Sequence, residues 1–424
     1  MKCENNLMNL AERLFPICRS ITGDGVRQTL SILKEYIPEL KIFEVPSGTK
    51  VFDWVVPKEW KISEAYIETL DGTRILDFKE NNLHVVGYSI PINKIVSRDE
   101  LLSILYTQKD QPNAVPYVTS YYKERYGFCC TECFKESLAD DYYHIVIKSE
   151  LFEGYLNYAE VILPGYENKE VMFSTYICHP SMANNEISGP IVNTFLIEYL
   201  RNLPNRRFTY RFIFIPETIG SIVYLKKNLE YLQKHLIAGF NITCVGDTRC
   251  YSYISSPYGC NLADKVAQNV LHYHASDYKK YSFLERGSDE RQYCSPLVHL
   301  PFCCLCRSKF GDYPEYHTSL DNLELISEEG MQGSLLLLKK IVNALEYNFN
   351  YKIKVACEPQ LGIRGLYPTI SQKGASYDKV KSITNFIAYS DGTNDLIDIS
   401  NLINVSTEEL VEVVNKLDSL LVKM

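Results

Sequence analysis

Residues 171–189 read VMFSTYICHPSMANNEISG, and this stretch decides the fold. Val171 to Cys178 is an apolar run rich in β-branched and aromatic residues, the texture of a strand. It stops at His179, and a helical pattern from Ile191 to Leu200 follows. Further apolar runs lie downstream at Tyr210 to Ile215, Phe240 to Val245 and Pro301 to Cys306. They alternate with helical stretches around Ile222 to Leu232, Leu262 to His272 and Gly333 to Tyr347. Such alternation predicts an α/β domain with a largely parallel sheet wrapped by helices.

The ends of these runs carry residues of catalytic type. VMFSTYIC ends at His179, YRFIFIP at Glu217, FNITCVG at Asp247 and PFCCLC at Arg307, with His317 ten residues further on. In open α/β sheets ligands bind beyond the carboxyl ends of the strands, so residues of these types delivered there together mark a site. Imidazole and carboxylate are the ligand set of a hydrolytic zinc, whose bound water falls to a pKa of about 7. A glutamate that is not itself a ligand takes the water's proton and passes it to the leaving amine, a role worth about 10²–10⁴ in rate. Glu217, ahead of a helix in Pro216-Glu217-Thr218-Ile219-Gly220-Ser221, stands where that base is needed. Arg286, Arg291 and Arg307 fall around Ser288-Asp289 and would favour a carboxylate, uronate or phosphate if they line the cleft; solvation at the surface is the other reading. Tyr293, Tyr313 and Tyr316 offer stacking surface or a hydroxyl donor. His84, His144, His235, His272 and His274 read as structural or exposed.

Working outward, Leu7, Leu10 and Leu14 share one helical face, and Val26, Leu30 and Leu33 share another beyond the Gly23-Asp24-Gly25 turn. From about 41 to 150, short runs such as Lys50 to Val56, His84 to Tyr88, Tyr117 to Thr119 and Tyr143 to Ile147 alternate with Pro, Gly and Asn clusters. That texture predicts a small β-rich domain. Near the other end, Ser406-Thr407-Glu408-Glu409 is a capping box leading into Leu410, Val413, Val414 and Leu417. With Asp395 to Ile403 before it, this is the pattern of a helix-turn-helix or winged helix. Many such modules bind DNA, yet Lys381 to Met424 holds 3 lysines, no arginine and 7 acids, and cannot neutralise phosphates. Packing or protein contact is the expected role, with no nucleic acid as partner.

Composition narrows the class further. The 424 residues carry 44 Lys and Arg against 52 Asp and Glu, a net charge of −8, with 46% hydrophobic residues. This is soluble globular material with ample core. No apolar run approaches the roughly 20 residues of a membrane helix. MKCENNLMNLAERLF lacks a signal-peptide apolar region, so no membrane partner and a cytoplasmic location are expected. The 14 cysteines include Cys130-x-x-Cys133 and Cys303-x-x-Cys306, but no further ligands stand at finger spacing. Pro301 to Cys306 reads instead as a buried strand in which reduced cysteine acts as a small hydrophobe.

The pieces CHPSMANNEISG, PETIGS, VGD, RGSDERQYCSP and EYHTSLDNL come in an order and spacing that resembles the zinc exopeptidase superfamily of bacterial aminopeptidases and glutamate carboxypeptidase. More closely, the chain looks like a bacterial group of aminopeptidase-like proteins that join this fold to an inserted β domain and a C-terminal winged helix, and that often accompany polysaccharide-biosynthesis genes. The resemblance implies a three-layer αβα sandwich formed by 1–40 and 151–350, a β-rich domain inserted at 41–150, and a winged-helix-like domain at 351–424. It implies an aminopeptidase-like zinc hydrolase with metal ligands at His179, Asp247 and His317 and a general base at Glu217. Ser288 and Asp289 match a serine–aspartate pair that shapes the substrate pocket.

Departures from the pattern matter as much. Asn185 stands where the superfamily has the aspartate that bridges two zincs, and Thr218 where it has a second glutamate. A neutral amide cannot offset two adjacent dications, so one zinc per chain is expected. Glu186 is the spare carboxylate: either a third ligand with His179 and His317, or a helix N-terminal carboxylate stabilised by the dipole. Asp247 would then be a fourth ligand or a partner that orients an imidazole. The substrate expected is a peptide, with an aminoacylated or amino-sugar glycan precursor as the alternative. A degenerate peptidase fold used for binding is the rival outside enzymes. A homo-oligomer stays open.

Overall fold

The structure is a computed structural model and describes residues 6–366 and 375–424. Its centre is an eight-stranded mixed sheet. In spatial order the strands are Lys41–Pro46, Tyr155–Leu163, Thr209–Ile215, Glu170–Tyr176, Leu236–Ile242, Phe302–Cys306, Ser252–Ile254 and Lys279–Tyr281. The four strands between Thr209–Ile215 and Phe302–Cys306 run parallel, and Tyr155–Leu163 and Ser252–Ile254 flank them antiparallel. Lys41–Pro46, whose sequence texture groups it with the inserted β-rich region, instead forms the edge strand of this main sheet.

The period of two along Glu170–Tyr176 sorts its side chains between two cores. Phe173 faces one layer and stacks between Phe212 and Phe240 at 5.0 and 5.3 Å. Around it pack Leu7, Leu30, Leu196, Val266 and Leu338, from the helices Leu7–Leu14, Asp24–Tyr36, Ser188–Arg201, Leu262–His274 and Glu328–Glu346. Met172 faces the other layer with Ile222 and Tyr224 of the helix Ile219–His235. This is the three-layer sandwich, mixed in strand direction and parallel at its centre.

A second, antiparallel sheet of Arg74–Asp77, Glu59–Glu68, Tyr142–Phe152 and Ile92–Ser97 covers part of that second layer. Its Trp60 and Ile145 belong to the same apolar cluster as Met172. Tyr117 to Thr119 forms no strand; isolated bridges Gly87–Thr119 and Pro116–Thr318 hold that segment.

Beyond the helix Glu328–Glu346, the strands Asp391–Asp395, Asn350–Ile353 and Leu421–Lys423 form a three-stranded sheet with the helices Ala375–Ala388, Leu396–Ile403 and Thr407–Leu417. This winged-helix unit has its own core around Tyr351, Phe386 and Leu410. It is also tied to the main domain. Ile397 enters the main core, Asn269 donates to Ser400 Oγ at 2.8 Å, and Lys265 pairs with Asp398 at 2.8 Å. Lys340 reaches Glu408 at the N-terminus of the last long helix at 2.9 Å. The cap at Ser406 accepts from the Glu409 N–H, while the Glu409 carboxylate accepts from Ser382. All thirteen described cysteines are free, and Cys303, Cys304 and Cys306 lie in a buried strand. Among the described residues no helix is long and apolar enough to cross a membrane.

Candidate active site

The site is built at the carboxyl end of the parallel strands, where the sequence expectation put it. Glu170–Tyr176 delivers Cys178 and His179, and the chain then winds as a π-helical turn, Ala183–Ile187, into the helix Ser188–Arg201. Such turns recur at functional sites because they re-aim side chains within a helix. Gly189 lets the helix press onto the sheet: a Cβ there would lie 2.3 Å from Thr175 Oγ1 and 2.6 Å from the Ile242 carbonyl oxygen. The turn's free N–H groups point at Asp321, whose carboxylate accepts from Ala183, Asn184 and Asn185 at 3.1, 2.6 and 3.0 Å. An anion at a helix start is the electrostatically favoured cap.

Within this frame His179 is aimed by its neighbours. Its Nδ1 donates to Glu186 Oε2 at 2.7 Å, which leaves Nε2 facing Glu217 Oε2 at 3.6 Å. Behind the pair, the buried Arg19 lies 3.6 Å from Glu186 Oε1 and donates to the carbonyl oxygens of His179 and Leu14 at 2.9 and 2.7 Å. Glu186 therefore orients the imidazole from its far side. A Cβ on Gly25 would sit 2.0 Å from the Cys18 carbonyl oxygen, so only glycine allows the tight fold-back of this turn beside Arg19.

Glu217 follows the strand Thr209–Ile215, and its N–H donates to Cys178 Sγ at 3.2 Å. Burial pushes its carboxyl above the ordinary carboxylate range, against the lowering effect of His179 and Arg291. Thr218 next to it has φ 64° and ψ −74°, and Ile219 N–H donates back to the Glu217 carbonyl at 2.8 Å. That is a strained γ-turn. Asp289 accepts from Thr218 N–H and Ser221 Oγ, both at 2.8 Å, while Arg291 donates to Thr218 Oγ1 at 2.6 Å. Burial and then the nearby Glu217 push the Asp289 carboxyl up to about 7.

His317 completes the group from the loop after Phe302–Cys306. Its ring stacks on Tyr316 at 3.8 Å and stands 5.2 Å from the His179 ring. Burial, with His179 adding to it, pushes its pKa down to about 3, so the imidazole is neutral at physiological pH. Its buried Nε2 has no hydrogen-bond partner in the protein. His179, Glu217, Arg291 and His317 line one cavity of about 320 Å³ together with Tyr117 and Tyr121 of the inserted region.

Other expected site residues sit elsewhere. Asp247 does not line the cavity. It accepts from Ser308 N–H and Oγ, Arg249 N–H and Asn184 Nδ2 at 3.0, 3.0, 2.8 and 2.9 Å, which occupies its lone pairs. The strand Leu236–Ile242 ends at Thr243, which bonds the Tyr176 hydroxyl and donates to the Asn185 carbonyl at 3.1 Å. Asn185 turns its amide to Tyr176 at 2.7 Å. Ser288 is buried beside Glu290, which accepts its N–H. Arg307 stacks on Tyr251 at 3.8 Å, and Arg286 lies over Phe283. Neither arginine lines the cavity. Sequence alone does not place the Arg19 to Gly25 loop, which reaches the site through Arg19; Asp321, inside the quoted motif EYHTSLDNL, and the two tyrosines carry no role assigned from sequence.

His179 and His317 could together hold a metal ion. Their rings stand 5.2 Å apart, His317 brings a neutral, unpartnered nitrogen, and Glu217 Oε2, 3.6 Å from His179 Nε2, would be within reach of a water bound to such an ion. Asn185, Thr218 and Thr243 are neutral: Asn185 Nδ2 donates to Tyr176 while its buried Oδ1 has no hydrogen-bond partner in the protein, Thr218 Oγ1 accepts from Arg291, and Thr243 Oγ1 donates to the Asn185 carbonyl. A tight grouping of metal-binding types, Cys178, His179 and Glu186, is a hydrogen-bonded set in which burial pushes the thiol up to about 12.

Fold and site together define an aminopeptidase-like protein. Residues 8–348 match the family model described as "Domain of unknown function (DUF4910)", and the chain belongs to that family; residues 350–422 match a winged helix-turn-helix model. A Clostridium acetobutylicum relative, named as a polysaccharide biosynthesis protein with an aminopeptidase-like domain, is 44% identical over 93% of this chain and 90% of its own. A crystal structure of a protein from C. acetobutylicum, catalogued under a peptidase name, superposes with a TM-score of 0.92 at 41% identity, covering 99% of this chain and 96% of that one. The zinc aminopeptidase of Bacillus subtilis shares the fold, with a TM-score of 0.59 at 13% identity over 81% of this chain and 96% of its own.

Proposed function

We propose that this protein hydrolyses an amide bond in a small substrate, with a single zinc held by His179 and His317 and with Glu217 nearest to it. The observation that supports this reading is the convergence of those three side chains on one cavity. A zinc there would supply a polarised water at neutral pH. Glu217 Oε2 holds a proton in transit between that water and the leaving nitrogen, and its raised pKa suits the exchange. Glu186 and Arg19 keep the His179 ring oriented, and Asp289 and Arg291 hold the γ-turn that carries Glu217. Arg291 also offers a guanidinium to a substrate carboxylate or carbonyl. Asp247, Ser288 and Asp289 act by shaping the pocket. An aminoacylated or N-acylated sugar precursor stands beside a peptide as substrate, in keeping with the name of the C. acetobutylicum relative. The winged helix serves as a packing module, not a nucleic-acid reader, and the free thiols suit the cytoplasm.

Asn185, Thr218 and Thr243 favour a second reading, a binding protein on a peptidase fold. Turnover separates the two. Zinc-loaded protein is assayed against a panel of aminoacyl and N-acyl amides, alongside E217Q. The expected result is cleavage of at least one amide, lowered about 10²–10⁴-fold in the variant. One bound zinc with no cleavage of any amide would leave the binding reading in its place.

A further inference from the structure

The inserted region carries a larger cavity, of about 560 Å³, that shares Trp54, Tyr121 and Tyr122 with the catalytic one. The protein has 2 tryptophans, and they are used in opposite ways. Trp60 is 5% exposed, stacks on Tyr88 and donates to the Ser89 carbonyl. Trp54 is 36% exposed and meets the 59% exposed Tyr122 edge to face at 5.7 Å. Large aromatic faces left to water at the junction of two cavities are available for a ligand.

The backbone beneath Trp54 strengthens this. The hairpin Lys50–Val51 with Trp54–Val55 turns through Phe52 at φ 53°, a left-handed conformation that is an outlier for a bulky residue. Contact with the helix Ile219–His235 braces the hairpin, with Lys226 Nζ 5.2 Å from the Phe52 ring centre. Strain of this kind persists where the fold holds a group in place. Here the group held is Trp54.

The cavity's chemistry is amphipathic. Val56, Pro57 and Leu151 give it an apolar floor, while the exposed rim carries Lys58 and Lys123 against Asp53, Glu124 and Glu153. Two cations facing three anions do not select phosphate or uronate, and an open, charged rim does not suit an acyl chain. A pyranose matches both parts: its C–H face lies on an aromatic ring and its hydroxyls bond the mixed donors and acceptors of the rim.

We propose that this second cavity is a subsite for an uncharged pyranose, with Trp54 and Tyr122 as its platform, holding the sugar part of a substrate whose amide reaches Glu217. The connection to catalysis rests on the hydrolase reading; the sugar site itself does not. Trp54 supplies a direct probe. Emission of zinc-loaded E217Q is titrated with N-acetylglucosamine, its β-1,4-linked dimer and an alanyl-leucine amide up to about 10 mM, enough to fill a site of Kd about 1 mM. The expected result is a saturable emission change with the sugars. Saturation-transfer NMR on W54A and Y122A, both at exposed positions, is expected to show at least tenfold weaker sugar binding. A response to the dipeptide alone, no response to any probe, or unchanged affinity in both variants overturns the subsite. Sugar binding without cleavage of any amide by the wild type sinks the hydrolase reading and leaves the subsite standing; peptide cleavage without a sugar response does the reverse.

Discussion

The two walls of the candidate site differ in kind. One presents His179, His317 and Glu217, ionisable groups whose protonation is shifted by burial and by one another. The other is neutral: Thr218, which lines the cavity, with Asn185 and Thr243, which are buried outside its lining; their hydrogen bonds run to Arg291, Tyr176 and the Asn185 carbonyl, and Asn185 Oδ1 has no partner. The first wall offers the neutral, unpartnered nitrogen of His317; the second offers no ionisable group, only the unpartnered amide oxygen of Asn185.

Changing the first wall should have the largest effect. H179A is expected to reduce bound zinc from about one per chain to none, read by mass spectrometry of tag-free protein, because one remaining imidazole cannot hold the ion alone. Retention of a full equivalent would mean that the metal, if any, sits elsewhere. R19A probes the support of that wall. It strips the cation from a buried carboxylate and should destabilise the fold by about 3–5 kcal/mol in urea melts. A change below about 1 kcal/mol would show that Glu186 does not depend on Arg19. N185D tests the second wall from the other direction. A buried, uncompensated carboxylate should cost about 3–5 kcal/mol, and the zinc count should stay at one because Thr218 and Thr243 remain neutral. A rise to two would erase the contrast between the walls.

Much of this was legible in the chain. The apolar runs named the central strands, and His179 and Glu217, just past strand ends, share a cavity with His317, which lies ten residues beyond Arg307. Asp247 was misplaced for a physical reason. Val245 and Gly246 prolong the apolar run, but the strand ends at Ile242, so the residue at its carboxyl end is Thr243 and Asp247 lies beyond the turn. Glu186 depended on a π-helical turn, which has no periodic signature in sequence. Tyr117 and Tyr121 come from a segment without strand pairing, fixed by tertiary contacts alone.

Those contacts have a bearing on how the molecule is assembled. His317 sits at φ 56°, and its carbonyl accepts from the Tyr117 N–H at 2.8 Å. On either side, Gln111 donates to the Pro314 carbonyl at 2.7 Å and the Val115 N–H to Ser319 Oγ at 3.0 Å. The second histidine is therefore stitched in place by a part of the chain about two hundred positions earlier. Loop-closure entropy makes such distant contacts late events in folding, so the two imidazoles come into register only after both sheets have formed and docked. Anything that binds both rings then acts as a clasp between the inserted region and the sandwich, and its affinity is drawn directly into the stability of their union.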